Sequence, residues 1–240
     1  MKIAILSDIH GNFDALERVA TCVEADETVV LGDVVGYGAQ PEECVRWVAG
    51  KKARGVMGNH EACILGMLPL SWFNPQAQEA VLWTKEQLSS GSFLLLQSLP
   101  PTLHHHGVFW VHGSLREPVE EYVTDVFLAR TIFEHFAFQV CFFGHTHVAE
   151  GYVYQDGKVE RISLAEGGEM VLSPQKRYLI NCGSVGQPRD GNPRASFGVY
   201  DLTEQRVVIQ RVEYDIEEAA RKILEAGLPE NLAYRLWVGR

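Results

Sequence analysis

Carboxylate, amide and imidazole side chains gather in five short, glycine-bearing clusters of this 240-residue chain. They are Ser7-Asp8-Ile9-His10-Gly11-Asn12, Gly32-Asp33, Gly58-Asn59-His60-Glu61, His112-Gly113 and Gly144-His145-Thr146-His147. Oxygen and nitrogen donors of these kinds suit Mn²⁺, Fe²⁺, Ni²⁺ or Zn²⁺, and none of the clusters contains a cysteine. Asp8 and His10 stand two residues apart, as do His145 and His147. In an extended segment residues i and i+2 point to one side, so each pair is expected to present two ligands together. The adjoining glycines let the backbone turn sharply without a Cβ clash. Singly, an Asp-x-His or a Gly-Asp is more often a capped turn than a ligand pair. Five such clusters in one chain carry the weight.

Each cluster follows an apolar run: KIAIL at 2–6, TVVL at 28–31, GVM at 55–57, GVFWV at 107–111 and QVCFF at 139–143. Continuous apolar runs of this length suit central strands buried on both faces. Ligands of such sheets bind beyond the carboxyl ends of the strands, so clusters far apart in sequence can converge there. Between the runs, Phe13, Leu16, Ala20 and Val23 line one face of a helix beginning after Asn12. Pro41, followed by Glu42 and Glu43, opens a second helix that closes near Gly50. Asn74-Pro75 opens a third, with Val81, Thr84 and Leu88 on a common face and Gly91 as its stop, and 119–136 reads as a fourth. After His147 the pattern turns to hairpins, one at Asp156-Gly157 and one over 195–215 turning around Thr203–Gln205. Asp215 and Glu218 form a capping-box pattern for a helix to Gly227, and 229–237 is a short final helix. The expected architecture is α/β: one domain over 1–240, two packed sheets with helices outside. Residues 1–150 would form its core, and 151–240 second-sheet hairpins and C-terminal helices.

A formal net charge of −10 argues against an extended basic surface for a nucleic-acid polymer or an acidic membrane. Attraction for an anionic substrate must then be local. Five scattered cysteines without CxxC spacing fit reduced thiols and a cytoplasmic setting. No signal peptide is expected before Ser7, and the apolar runs are too short to span a bilayer.

The motifs DIHGN (8–12), GDVVGYG (32–38), GNHE (58–61), HG (112–113) and GHTH (144–147) together resemble the calcineurin-like metallophosphoesterases. The resemblance continues into NCGSVGQPRDGNPRASFGVYD (181–201), which is similar to the branch containing bacterial diadenosine tetraphosphatase-like phosphodiesterases. It implies a four-layer α-β-β-α sandwich carrying two divalent ions, Mn²⁺ first, with Fe²⁺, Ni²⁺ or Zn²⁺ as alternatives. Asp8, His10, Asp33 and His147 would hold one ion. Asp33, Asn59, His112 and His145 would hold the other, with Asp33 bridging. Two ions roughly 3.5–4 Å apart hold and acidify a hydroxide and stabilise the attacking and leaving oxygens of an in-line displacement at phosphorus. His60 matches the family's residue outside the metal shell and would protonate the leaving oxygen.

The implied activity is hydrolysis of phosphodiesters or dinucleoside polyphosphates. A phosphomonoesterase or Ser/Thr protein phosphatase is the alternative. A non-catalytic scaffold is disfavoured because every ligand position is filled. GDVVGYG lacks the arginine and the aspartate of the protein phosphatases' GDxVDRG, so phosphate binding is sought in Arg189 and Arg194 of GQPRDGNPR, against a solvated-loop reading of equal weight. Glu61 is a candidate for orienting His60. Trp72, Phe73, Trp83 and Phe93 read first as helix packing and second as the border of a nucleobase pocket. The His104–His106 run reads as structural or surface.

Overall fold

Five of the six parallel-running strands end where the polar clusters begin. In the computed structural model, which describes residues 1–240, Lys2–Leu6 (β1) pairs in parallel with Glu27–Val30 (β2), and β2 with Arg54–Gly55 (β3). In a second sheet Val108–Val111 (β5), Val140–Phe143 (β6) and Arg177–Cys182 (β10) run parallel to one another. Antiparallel strands complete both sheets. Thr102–His105 (β4) flanks β5, and Ala149–Gln155 (β7) and Lys158–Ser163 (β8) extend from β10. Gly168–Val171 (β9), Ala195–Asp201 (β11) and Arg206–Val212 (β12) complete the first sheet, ordered β3-β2-β1-β11-β12-β9. The second is ordered β4-β5-β6-β10-β7-β8.

Side-chain alternation explains the layering. Ile3, Ile5, Val140, Phe142, Ile180 and Tyr200 meet between the sheets in one buried cluster. The next residues along the strands point outward. Leu6 packs with Leu16 and Val19 of Phe13–Ala20 (α1) and Val45 and Val48 of Pro41–Gly50 (α2). Cys141 and Phe143 pack against Ala129, Ile132 and Phe133 of Val126–His135 (α6). Every strand of the central parallel set is therefore coated on both faces, as its apolar run requires. The result is the expected α-β-β-α sandwich.

Local signals account for most boundaries. Asn12 Oδ1 accepts from the Ala15 N–H (3.1 Å) to open α1, and Asn74 Oδ1 accepts from Ala77 (3.0 Å) to open Pro75–Gln87 (α4). Asp215 Oδ1 caps Ile216–Glu225 (α7) through Glu218 N–H (2.9 Å), and Glu230–Tyr234 (α8) follows. Asp156 and Gly157, at φ 50° and 75°, make the tight β7–β8 turn.

Four departures have physical causes. The third expected helix stops at Gln87, not at Gly91. Leu88 is extended and Ser89 Oγ accepts from Ser92 N–H (3.2 Å), starting Ser90–Gln97 (α5) with Gly91 inside it. The fourth begins only at Val126, because Asp125 Oδ1 caps Phe127 (2.8 Å) and Leu128 (2.9 Å). A one-and-a-half-turn helix, Asn59–Ile64 (α3), follows Gly58, where the sequence reading had none. The C-terminal part does not form the second sheet by itself either: the β11–β12 hairpin and β9 join β1, whereas β7, β8 and β10 join β6.

Candidate metal centre

Five side chains of the polar clusters stand on left-handed backbone: Asp8 (φ 52°), His10 (51°), Asp33 (50°), His145 (66°) and His147 (58°). The expectation that each i, i+2 pair lies on an extended segment is thus corrected; consecutive reversals at the strand ends aim the side chains inward. Such conformations cost about 1–3 kcal/mol each for residues other than glycine and persist where surrounding bonds impose them. Here Asp8 N–H donates to Gly32 O (3.2 Å), His10 N–H to Asp33 O (2.9 Å) and Gly186 N–H to Asp8 O (3.0 Å). The loops after β1, β2 and β10 hold one another.

All seven residues expected as ligands converge, and all are buried. Ligand atoms of Asp8, His10, Asp33 and His147 lie within 4.8 Å of one another, as do those of Asp33, His112 and His145. Asp33 Oδ2 is common ground, 3.5 Å from His10 Nε2 and 3.4 Å from His112 Nε2. Asn59 Oδ1 lies 2.9 Å from His112 Nε2, which places the amide in the second group. Asp8 Oδ1 lies 3.3 Å from His147 Nε2, and Asp8 Oδ2 accepts from Ser7 Oγ (2.6 Å).

The outward ring nitrogens decide whether these groups fit cations. Each of the four clustered histidines has one nitrogen at hydrogen-bond distance from a backbone carbonyl: His10 Nδ1 at Val35 O (3.1 Å), His112 Nδ1 at Leu31 O (2.7 Å), His145 Nε2 at Glu120 O (3.2 Å) and His147 Nδ1 at Gln187 O (2.6 Å). Donation to those carbonyls fixes the tautomer and turns the other nitrogen's lone pair inward. There His10 Nε2 and His147 Nε2 face each other at 3.0 Å, and His112 Nε2 and His145 Nδ1 do likewise at 3.0 Å. Facing lone pairs flanked by carboxylates call for positive charge between them. The donor set fits two divalent ions.

Without metal, protons partly serve that need. His112 is held up at about 9: burial opposes its charge, but the Asp33 and Asp8 carboxylates and the Leu31 carbonyl together outweigh it. Burial pushes His10, His145 and His147 well below the ordinary imidazole range. Asp33 is also penalised by burial, yet the His112 charge holds it well below the carboxylate range. Burial raises Asp8 to about 7.

His60 stands outside both groups. Its ring is wedged among Tyr37 (centroids 4.6 Å apart), His10 (4.7 Å) and Phe73 (4.9 Å), and its buried Nδ1 has no hydrogen-bond partner. Burial lowers it to about 4. Glu61 does not orient it, contrary to expectation. The Glu61 carboxylate accepts instead from the backbone N–H groups of Asp33 (2.7 Å), Gly58 (2.9 Å) and Val35 (3.2 Å), tying the loops after β2 and β3. Two glycines are obligatory. A Cβ on Gly36 (φ 122°) would collide with His60 Nδ1, and one on Gly58 would collide with Asp33 Oδ1.

Of the two arginines expected to bind phosphate, only Arg189 reaches the site. Its guanidinium lies 5.6 Å over the Tyr37 ring, and its N–H donates to His147 O (3.1 Å). Tyr37 occupies the motif position where the protein phosphatases' arginine would stand, so an arginine from another loop now covers it. Arg194 is not brought in: it pairs with Glu166 (2.8 Å) and Asn192 (3.0 Å). Trp72 and Phe73 border a cavity beside Asn59, whereas Trp83 and Phe93 pack against helical clusters. Arg235, in the 3₁₀ turn after α8, also lines that cavity. Sequence reading missed it because a lone arginine far from every motif carries no signal. His104 packs on Phe109, and His105 (2.8 Å) and His106 (3.3 Å) engage Glu27, a partly exposed cluster linking edges of the two sheets.

Residues 1–149 match the family model described as calcineurin-like phosphoesterase. The solved structure of a metallophosphoesterase from Sphaerobacter thermophilus is similar at a TM-score of 0.90 and 40% identity, over 100% of this chain and 99% of that one. An uncharacterized protein of Methanocaldococcus jannaschii is 36% identical over 99% of this chain and 98% of its own length. A symmetrical bis(5'-nucleosyl)-tetraphosphatase of Actinobacillus pleuropneumoniae is 36% identical over 48% of this chain and 46% of its own length. The match to that relative spans about half of each chain.

Proposed function

The chain belongs to the calcineurin-like phosphoesterase family and is a metal-dependent phosphoester hydrolase, and we propose that it uses two ions to cleave phosphodiesters or dinucleoside polyphosphates. The observation that carries the two-ion reading is Asp33 Oδ2, lying between two ligand groups at 3.5 and 3.4 Å from their nearest histidines. Asp8, His10 and His147 complete one group; Asn59, His112 and His145 complete the other. When bound, the ions supply an activated water and neutralise phosphate charge. The chain's own groups do the rest. Asp33 fixes the spacing of the two positions. Arg189 brings positive charge toward the phosphate chain of the substrate, and His60, neutral in the resting site, donates a ring N–H toward the leaving oxygen.

The substrate class draws support from the tetraphosphatase relative and from Tyr37 in place of an arginine, which removes one clamp for a dianionic monoester. Mn²⁺ is the proposed native ion. A panel assay at matched, quantified metal loading tests the reading. Diesters and dinucleoside polyphosphates are expected to exceed a phosphoserine peptide in kcat/KM. Asp33→Asn should lose both ions and Asp8→Asn mainly one. Two tightly held ions in Asp33→Asn contradict the bridge, and faster turnover of the phosphopeptide than of every diester promotes protein phosphatase activity instead.

A further inference from the structure

Beside Asn59 a cavity of about 200 Å³ opens between Tyr37, Trp72, Phe73, Tyr122, Arg189 and Arg235. That is less than the roughly 300–1,000 Å³ enclosing a whole drug-sized ligand, so the cavity takes one arm of a substrate. Its charge is unusual for this chain, whose formal net charge is −10. Two guanidiniums share the cavity, and neither pairs with a side-chain carboxylate, whereas other arginines of the chain do, such as Arg211 with Asp190 and Arg161 with Glu150. Arg189 is held in place by its own loop: Nη2 donates to Gln187 Oε1 (3.0 Å), while its Nε is buried without a partner. The next residue, Asp190, forms the buried ion pair with Arg211, which keeps the loop from swinging away. Arg235 is fixed by Nε donating to Arg240 O (2.6 Å). Burial and the neighbouring charge of Arg189 both weaken the Arg235 cation's hold on its proton. Two like charges brought together without a side-chain counter-ion can take an anion, and guanidinium forks match phosphate oxygens.

Much of the remaining lining is aromatic. Trp72 and Tyr122 are 38% and 42% exposed, with ring planes only 6° apart, so both offer faces to an incoming planar group. Tyr122 also stacks on His145 at 3.6 Å, which ties this wall to the second ligand group.

We propose that Arg189 and Arg235 clamp a second phosphate of the substrate, one bridging oxygen beyond the phosphorus that reacts, and that the Trp72 and Tyr122 wall takes a planar ring attached to it. The inference rests on the phosphoesterase reading of the Asp33 cluster and narrows it to substrates with a pyrophosphate or polyphosphate link ending in an aromatic base. Arg235 is the residue that adds this specificity.

Equilibrium binding of AMP, ADP and inorganic pyrophosphate, followed by calorimetry on the metal-loaded protein, tests the clamp apart from turnover. The wild type should bind ADP about tenfold more tightly than AMP, the reach of one charge-assisted contact. Arg235→Ala should erase most of that difference, and Arg235→Lys should restore only part, because an ammonium lacks the fork. Trp72→Ala, at an exposed position that leaves the core intact, should weaken ADP but not pyrophosphate. In kinetics, Arg235→Ala should raise KM for a dinucleoside polyphosphate about tenfold more than for bis(p-nitrophenyl) phosphate, which has one phosphorus. Equal losses on AMP and ADP, or unchanged ADP binding, overturn the clamp. A wild type that hydrolyses no ester yet retains the Arg235-dependent ADP preference sinks the catalytic reading and leaves the clamp standing.

Discussion

At the scale of one residue, the role proposed for His60 separates chemistry from metal binding. Its backbone N–H donates to Asp33 Oδ1 (3.0 Å), but its ring Nδ1 has no hydrogen-bond partner and the ring's neighbours are other rings. Removing it should leave both ions bound, as elemental analysis would show, yet slow turnover by roughly 10²–10³-fold, the usual reach of one donor aimed at developing charge. The loss should be greater for alkoxide leaving groups than for nitrophenolate, which needs little protonation. Equal losses across leaving groups would reduce His60 to a phosphate contact. The residue itself was legible in GNHE, as were the seven that converge, because side-chain type and spacing are written in the sequence. What holds His60 was not. The wedge of Tyr37, His10 and Phe73 comes from three separate segments, and no spacing rule joins them.

Elements carry the next level, and Glu61 shows how a helix terminus governs two loops. Its carboxylate takes three backbone N–H groups from the ends of β2 and β3, at 2.7–3.2 Å, in a fully buried setting. Those strands are only four and two residues long, so their own ladder does little to fix the loops. Glu61→Gln presents an NH₂ where an acceptor is needed and strands at least one buried donor, at about 1–3 kcal/mol. Urea unfolding should register that loss, and metal affinity should fall with it because Asp33 is displaced. Unchanged stability would show that the loops are held without this side chain. The same level explains the errors in reading helices. The sequence pattern announced one helix from Asn74-Pro75 to Gly91 and another over 119–136, but Ser89 starts a separate α5 and Asp125 sets the start of α6, local caps that outrank a glycine or a periodic pattern. The short α3 was hidden because six residues are too few for a period to show.

At the scale of the molecule, the candidate ligands divide between the sheets. Asp8, His10, Asp33 and Asn59 follow strands of the first, and His112, His145 and His147 follow strands of the second. Metal binding should therefore brace the whole sandwich. Ions held at roughly 100 times their Kd contribute about 2.7 kcal/mol per site, and a domain of this size gains about 2–4 °C per kcal/mol. Chelation should lower Tm by roughly 10–20 °C. The effect depends on pH in a definite direction. His112 rises from an ordinary 6.5 to about 9 in the metal-free fold, so its proton stabilises that fold fully below 6.5 and ceases to do so as pH climbs through 9. Asp8, raised from 3.8 to about 7, acts in the same sense at lower pH. Nδ1 of His112 faces the Leu31 carbonyl, so the proton that a cation must displace is the one on Nε2. Metal uptake at pH 7.5 should then release about one proton per chain, seen as a dependence of calorimetric heat on the buffer's ionisation enthalpy. The gap in Tm between loaded and chelated protein should widen from pH 6.5 to 9. A gap that stays constant over that range, with no proton released, would mean that His112 enters the site already neutral and that Asp33 does not hold its charge.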